Sequence, residues 1–231
     1  MDPSKLFSDK RFIGVCVYCG CATETFDHAP SKVLLDEPYP DCLPGVGSCL
    51  QCNYSFSLDE EYFACFIECV ISGTTEPANL SREKIKKILT RKPALATQIG
   101  SACKTNDEGR LVWEVDMTRA SNVVMKLARA HVAYENCDPM LYPPETMLLR
   151  PLCLMSDEEY ASFESPDTGF PRWPEVGSRA FMRACGAGHD RFTANGWEVI
   201  QRGRYRYRVD FERNIVARMV ISEYLACTVA W

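Results

Sequence analysis

No run of about 18 apolar residues occurs in the 231-residue chain, so no membrane-spanning helix is expected. The amino-terminal stretch MDPSKLFSDKRF lacks the apolar centre of a secretory signal. Both absences point to a soluble protein of the cytoplasm. A basic excess is missing too: 26 Lys and Arg stand against 31 Asp and Glu, a net charge of −5. A generic nucleic-acid-binding surface shows the opposite balance. Internal repeats and low-complexity tracts are also absent. Histidine is scarce, with three in the chain.

Cysteine is abundant instead, with 13 residues. Their odd number and diffuse placement do not suit a secreted disulfide scaffold, which is shorter and more regularly stapled. Most lie in apolar stretches, where a reduced thiol packs as a small hydrophobe. Four have another character. Cys16-x-x-Cys19 and Cys49-x-x-Cys52 are two knuckles, each setting a pair of thiolates about one tetrahedral edge apart. Together they predict a closed four-thiolate site for a structural Zn2+, which orders a loop too small to order itself by burial. Cys21 and Cys42 fall outside the spacing.

The helix pattern after the second knuckle is strong. Ser57-Leu-Asp-Glu60 reads as a capping box, and Tyr62, Phe63, Phe66, Ile67, Val70 and Ile71 recur at helical steps until Gly73. A basic helix is expected over 81–91, interrupted by Pro93, with a shorter helical piece beyond it. Asn106–Gly109 reads as a turn and Leu111–Val115 as a strand. Thr118–Tyr134 is the clearest long helix, with His131 on its apolar face as a core residue. Proline marks 138–144 as a loop, and Ser156-Asp-Glu-Glu159 is a second capping box. Strands are expected at 197–201, 205–211, 215–221 and 224–229, forming an antiparallel sheet.

Between the knuckles stands Asp27-His28-Ala-Pro30, and the second knuckle continues into Asn53. This order of CxxC, Asp-His-x-Pro, CxxC-Asn and helix resembles the HNH endonucleases, over roughly residues 16–65. The resemblance implies a ββα-metal fold for a zinc-stapled module in 1–75; with the helix and strand patterns of 76–231, a helical and antiparallel-sheet region open to DNA or partner binding, the expected class is α+β. It implies DNA phosphodiester hydrolysis with His28 as general base. Asp27 and Asn53 would ligate a catalytic Mg2+ or Mn2+. It also suggests microbial restriction or antiviral defence. The chemistry agrees: phosphodiester hydrolysis needs a base for water and a cation against the phosphate charge. Two features depart from the family: 41–48 has no central Asn, where Asp41 is the nearest substitute, and Asn53 stands where the motif's last His belongs.

Charge is unevenly spread. Residues 1–75 hold 4 Lys and Arg against 11 Asp and Glu, whereas 172–231 hold 10 against 6. Arg204, Arg206 and Arg208 alternate with Tyr205 and Tyr207, so a strand here would present the arginines on one face. With Lys32, they are the candidates for phosphate contact; a solvated outer face is the competing reading. Cys185 and His189 are too isolated to predict a second metal. A protein partner or a homodimer is left open. A reading of another class is a non-catalytic, zinc-stabilised module that binds nucleic acid or a partner.

Overall fold

The computed structural model describes residues 14–41, 43–165, 173–185, 195–211 and 214–231. These form a mixed α+β chain with antiparallel sheets. His189 and Cys42 lie outside the described residues, as does most of 165–174, where three prolines and a glycine in the sequence predict a further loop.

Strands β1 (Thr25–His28) and β2 (Gly45–Ser48) pair antiparallel, with Asp27 opposite Val46 and His28 opposite Gly45. A side-chain carbon at Gly45 would overlap the Phe26 ring, which would have to move. Helix α1 (Leu50–Ser55) follows directly, and the Glu24 carboxylate accepts a hydrogen bond from the Leu50 amide at its start (3.1 Å). Helix α2 (Ser57–Ser72) begins one residue later, and Gly73 ends it in the left-handed region. The expected Ser57–Glu60 box is not its cap. Phe56 holds the N-cap position with helical backbone angles, so Ser57 is already inside the helix.

Helices α3 (Glu83–Arg91) and α4 (Pro93–Ser101) meet at Lys92, as Pro93 dictates. The Glu68 carboxylate on α2 accepts from the amides of Ser81 (2.8 Å) and Arg82 (3.0 Å), ahead of α3. Strands β3 (Cys103–Thr105) and β4 (Leu111–Trp113) make a hairpin around the turn expected at Asn106–Gly109. β4 stops two residues short of the sequence expectation.

Helix α5 (Met117–Asn136) is the long helix read from the sequence. Strand β5 (Thr146–Pro151) has no counterpart in that reading. Helix α6 (Asp157–Glu164) carries the expected capping box: Ser156 Oγ accepts from the Glu159 amide at 3.2 Å, and the Glu159 carboxylate accepts from the Ser156 amide at 2.7 Å. Helix α7 (Arg179–Ala184) precedes β6 (Glu198–Gln201), β7 (Tyr205–Phe211), β8 (Ile215–Ile221) and β9 (Leu225–Ala230). The sheet order is β5-β9-β8-β7-β6, all antiparallel.

The chain divides into two compact units. One comprises Met1–Ser55 with Val124–Trp231, and the other is Phe56–Val123. This partition differs from the 1–75 and 76–231 division read from the sequence. The knuckles and the β1–β2 hairpin group with the five-stranded sheet, while α2, α3, α4 and the β3–β4 hairpin form the other unit. In the first unit, α5 contributes buried Val124, Leu127, Ala128, His131 and Val132, and the sheet contributes Tyr205, Tyr207, Ala217, Met219 and Val229. Phe163, Trp197, Val220 and Ala226 pack together in the same unit.

Candidate functional site

The first knuckle is a tight turn closed by the Val15–Ala22 bridge. Cys16 donates its amide to the Cys21 carbonyl at 2.7 Å, and Gly20, at φ +79°, donates back to the Cys16 carbonyl at 2.9 Å. The second knuckle straddles the end of β2 and the first turn of α1. There the Cys52 amide points at Cys49 Sγ (3.4 Å). The hairpin register joins the two. Cys16, Cys19, Cys49 and Cys52 place their sulfur atoms within 4.8 Å of one another, and Cys19 and Cys49 are 3.7 Å apart. A Zn–S bond of about 2.3 Å implies a tetrahedral edge of roughly 3.8 Å.

The donor set fits a metal ion such as zinc. Burial pushes the Cys16 thiol up, but hydrogen bonds from the Cys49, Tyr18 and Cys19 backbones outweigh it and bring it down to about 7. Burial and its sulfur neighbours push Cys52 up, so the four thiols cannot all ionise without a cation. Arg129 of α5 reaches into the first knuckle, donating to the Tyr18 carbonyl at 3.3 Å, and its charge acts on Cys52. Cys21 is exposed and outside the cluster.

His28 ends β1 and is half-buried, its ring edge-on to Phe26 with centroids 5.6 Å apart. Its pKa is lowered by burial first and then by the ammonium groups of Lys32 and Lys126, against the opposing pulls of Asp27 and the Pro44 carbonyl. The imidazole is therefore neutral at pH 7, the form a base requires. Its Nδ1 is buried with no hydrogen-bond partner among the described residues.

Asp27 precedes it on β1 and projects to the other face of the strand. Tyr18 Oη donates to its Oδ2 at 2.8 Å. Lys126 Nζ lies 3.1 Å from Oδ1 and 3.0 Å from Oδ2. Ser31 Oγ completes the setting, 3.2 Å from the ammonium. The expected divalent-ion ligand is thus held in a buried ion pair. Asn53 is on α1, with Nδ2 3.5 Å from Thr25 Oγ1, a residue on the same face of β1 as Asp27. Among the described residues, the four cysteines are the only group of three or more His, Cys, Asp and Glu side chains close enough to share an ion.

The candidate phosphate contacts have partners within the chain. Arg204 sits in the turn before β7, not on the strand, and pairs with Asp36. Arg206 forks onto both oxygens of Glu164 (2.9 and 2.7 Å), pairs with Glu223 and lies over Trp197. Arg208 is buried, pairs with Asp210 and donates to the Glu164, Asn195 and Ser165 carbonyls. A phosphate would have to displace a carboxylate from each. Lys32 is exposed, 5.4 Å from the Tyr39 ring centroid. His131 is the core residue expected: it is stacked on Tyr207 at 3.7 Å and within 2.7 Å of Tyr205 Oη.

Sequence reading missed Lys126, Arg129 and Tyr18. A signal for Lys126 existed: it falls three residues after Val123 and four before Ala130, inside the buried stripe of α5. Comparison with protein-family models, curated proteins and solved structures finds no match.

Proposed function

We propose that this chain is a zinc-stapled phosphodiester hydrolase of the HNH type, with His28 as the general base and DNA as the substrate. One observation carries the reading. The four-thiol cluster closes a hairpin that runs into a helix, in ββα order, and the last residue of β1 is an imidazole kept in its base form. In this scheme His28 takes a proton from water as the water oxygen attacks phosphorus. The P–O bond to the leaving sugar oxygen then breaks, and that oxygen takes a proton from solvent. Cys16, Cys19, Cys49 and Cys52 hold the zinc, which fixes the loop and takes no part in the chemistry.

The resemblance also implies a divalent ion on Asp27 and Asn53. The residues at Asp27 do not fit it, because an ammonium already faces both oxygens. The same pair favours a second reading: a zinc-stabilised binding module without chemistry, presenting the hairpin to nucleic acid or a protein. Incubating supercoiled plasmid with the zinc-loaded chain, with EDTA-free buffer alone or with Mg2+ or Mn2+, separates them. Conversion to nicked or linear DNA supports the hydrolase. No cleavage of the plasmid under any of these conditions supports the binding module.

A further inference from the structure

We propose that the Lys126 ammonium is the resident cation of Asp27, standing where a divalent ion would bind.

Both Asp27 oxygens lie within 3.1 Å of Nζ, and Tyr18 Oη takes a further position on Oδ2. On the other side, Ser31 Oγ contacts the ammonium, so the pair is hydrogen-bonded at both ends. The Lys126 side chain is 1% exposed and that of Asp27 8%. A divalent ion on this carboxylate would sit against a buried positive charge, where little water screens the repulsion. No other His, Cys, Asp or Glu among the described residues joins Asp27 in a three-ligand cluster. Lys126 is too deeply buried to touch a phosphate. It ties α5 to the residue preceding His28.

The proposal concerns the hairpin of the proposed hydrolase, but its test reads ion uptake and not cleavage, so either can fail without the other. The zinc-loaded full chain is titrated with Mn2+ alone, and free Mn2+ is followed by its paramagnetic resonance signal. The wild type and the Asp27→Asn/Lys126→Met double variant, which leaves no unpaired charge, should bind Mn2+ equally. Lys126→Met, which leaves the Asp27 carboxylate without its cation, should take up more Mn2+ than the wild type, weakly because Asp27 belongs to no three-ligand cluster of His, Cys, Asp or Glu among the described residues, and Lys126→Arg should behave as the wild type. Mn2+ uptake by the wild type that the double variant loses overturns the proposal. So does a Lys126→Met chain with full zinc content that takes up no additional Mn2+. Where Lys126→Met does not fold, the comparison of wild type with the double variant decides alone.

Discussion

Lys126 on α5 holds both carboxylate oxygens of Asp27 on β1, at 3.1 and 3.0 Å, across 99 residues of sequence. The contact locks the zinc-stapled hairpin to the helix that carries the core of its unit. Removing one member of a buried pair leaves the other charged and unpaired, which costs about 3–5 kcal/mol. Lys126→Met should therefore lower the urea midpoint substantially. Asp27→Asn/Lys126→Met should recover most of the loss, because nothing charged is left behind. A double variant less stable than the single one would show that the pair itself, and not the orphaned charge, carries the stability.

Zinc should be required for the hairpin. One zinc per chain is expected after purification. Cys49→Ser should lose it and unfold residues 14–55, where small knuckles have little apolar core of their own. Metal analysis with amide hydrogen exchange checks this: exchange in 14–55 should rise to the unprotected rate. Retained zinc and retained protection in Cys49→Ser would contradict the four-thiol site.

His131 makes the first unit acid-sensitive. Burial lowers its pKa to about 3 from an ordinary 6.5. A base depressed in the folded state contributes stability that is complete above pH 6.5 and is lost as pH falls toward about 3. The loss approaches several kcal/mol because the ring is fully buried. His131→Phe keeps the stack on Tyr207 and should flatten stability between pH 6.5 and 4, measured by urea unfolding at each pH. An unchanged slope would show that other groups dominate.

Glu198 has the opposite pH dependence. Tyr207 Oη is 2.7 Å from Glu135 Oε1 and 2.9 Å from Glu198 Oε2, and one hydroxyl proton can serve only one of them. Burial and then the neighbouring Glu135 raise Glu198, against the pull of Arg179. An acid raised in the folded state contributes stability that is complete below its unfolded pKa and is lost as pH rises through its folded value. Glu198→Gln, which copies the protonated form, should lose less stability than the wild type on going from acidic to neutral pH. An identical pH dependence in the two proteins would show that Glu198 does not carry it.

Local patterns in the sequence reported local structure well. The spacing of the knuckles, the Ser156–Glu159 box and the alternation in 205–221 each depend on neighbours within a few residues, and each appears in the fold. β5 was not legible because Thr146–Pro151 has little alternation of its own and becomes a strand by pairing with β9, some 80 residues on. Arg204 and Arg206 read as surface cations because their partners, Asp36, Glu164 and Glu223, are distant in sequence; Arg208 pairs with the nearby Asp210, but the Glu164 and Ser165 carbonyls that bury it are as distant. Lys126 was invisible for the same reason. A lysine on a helix reads as solvated until the strand that supplies its carboxylate is known.

The most direct measurement is the rate of plasmid nicking by zinc-loaded wild type and His28→Ala, matched for zinc content and for unfolding midpoint. With His28 as the base, the wild type should nick DNA and the variant should be slower by about 10²–10⁴-fold. Equal rates in the two proteins, at equal zinc content and stability, would contradict the account.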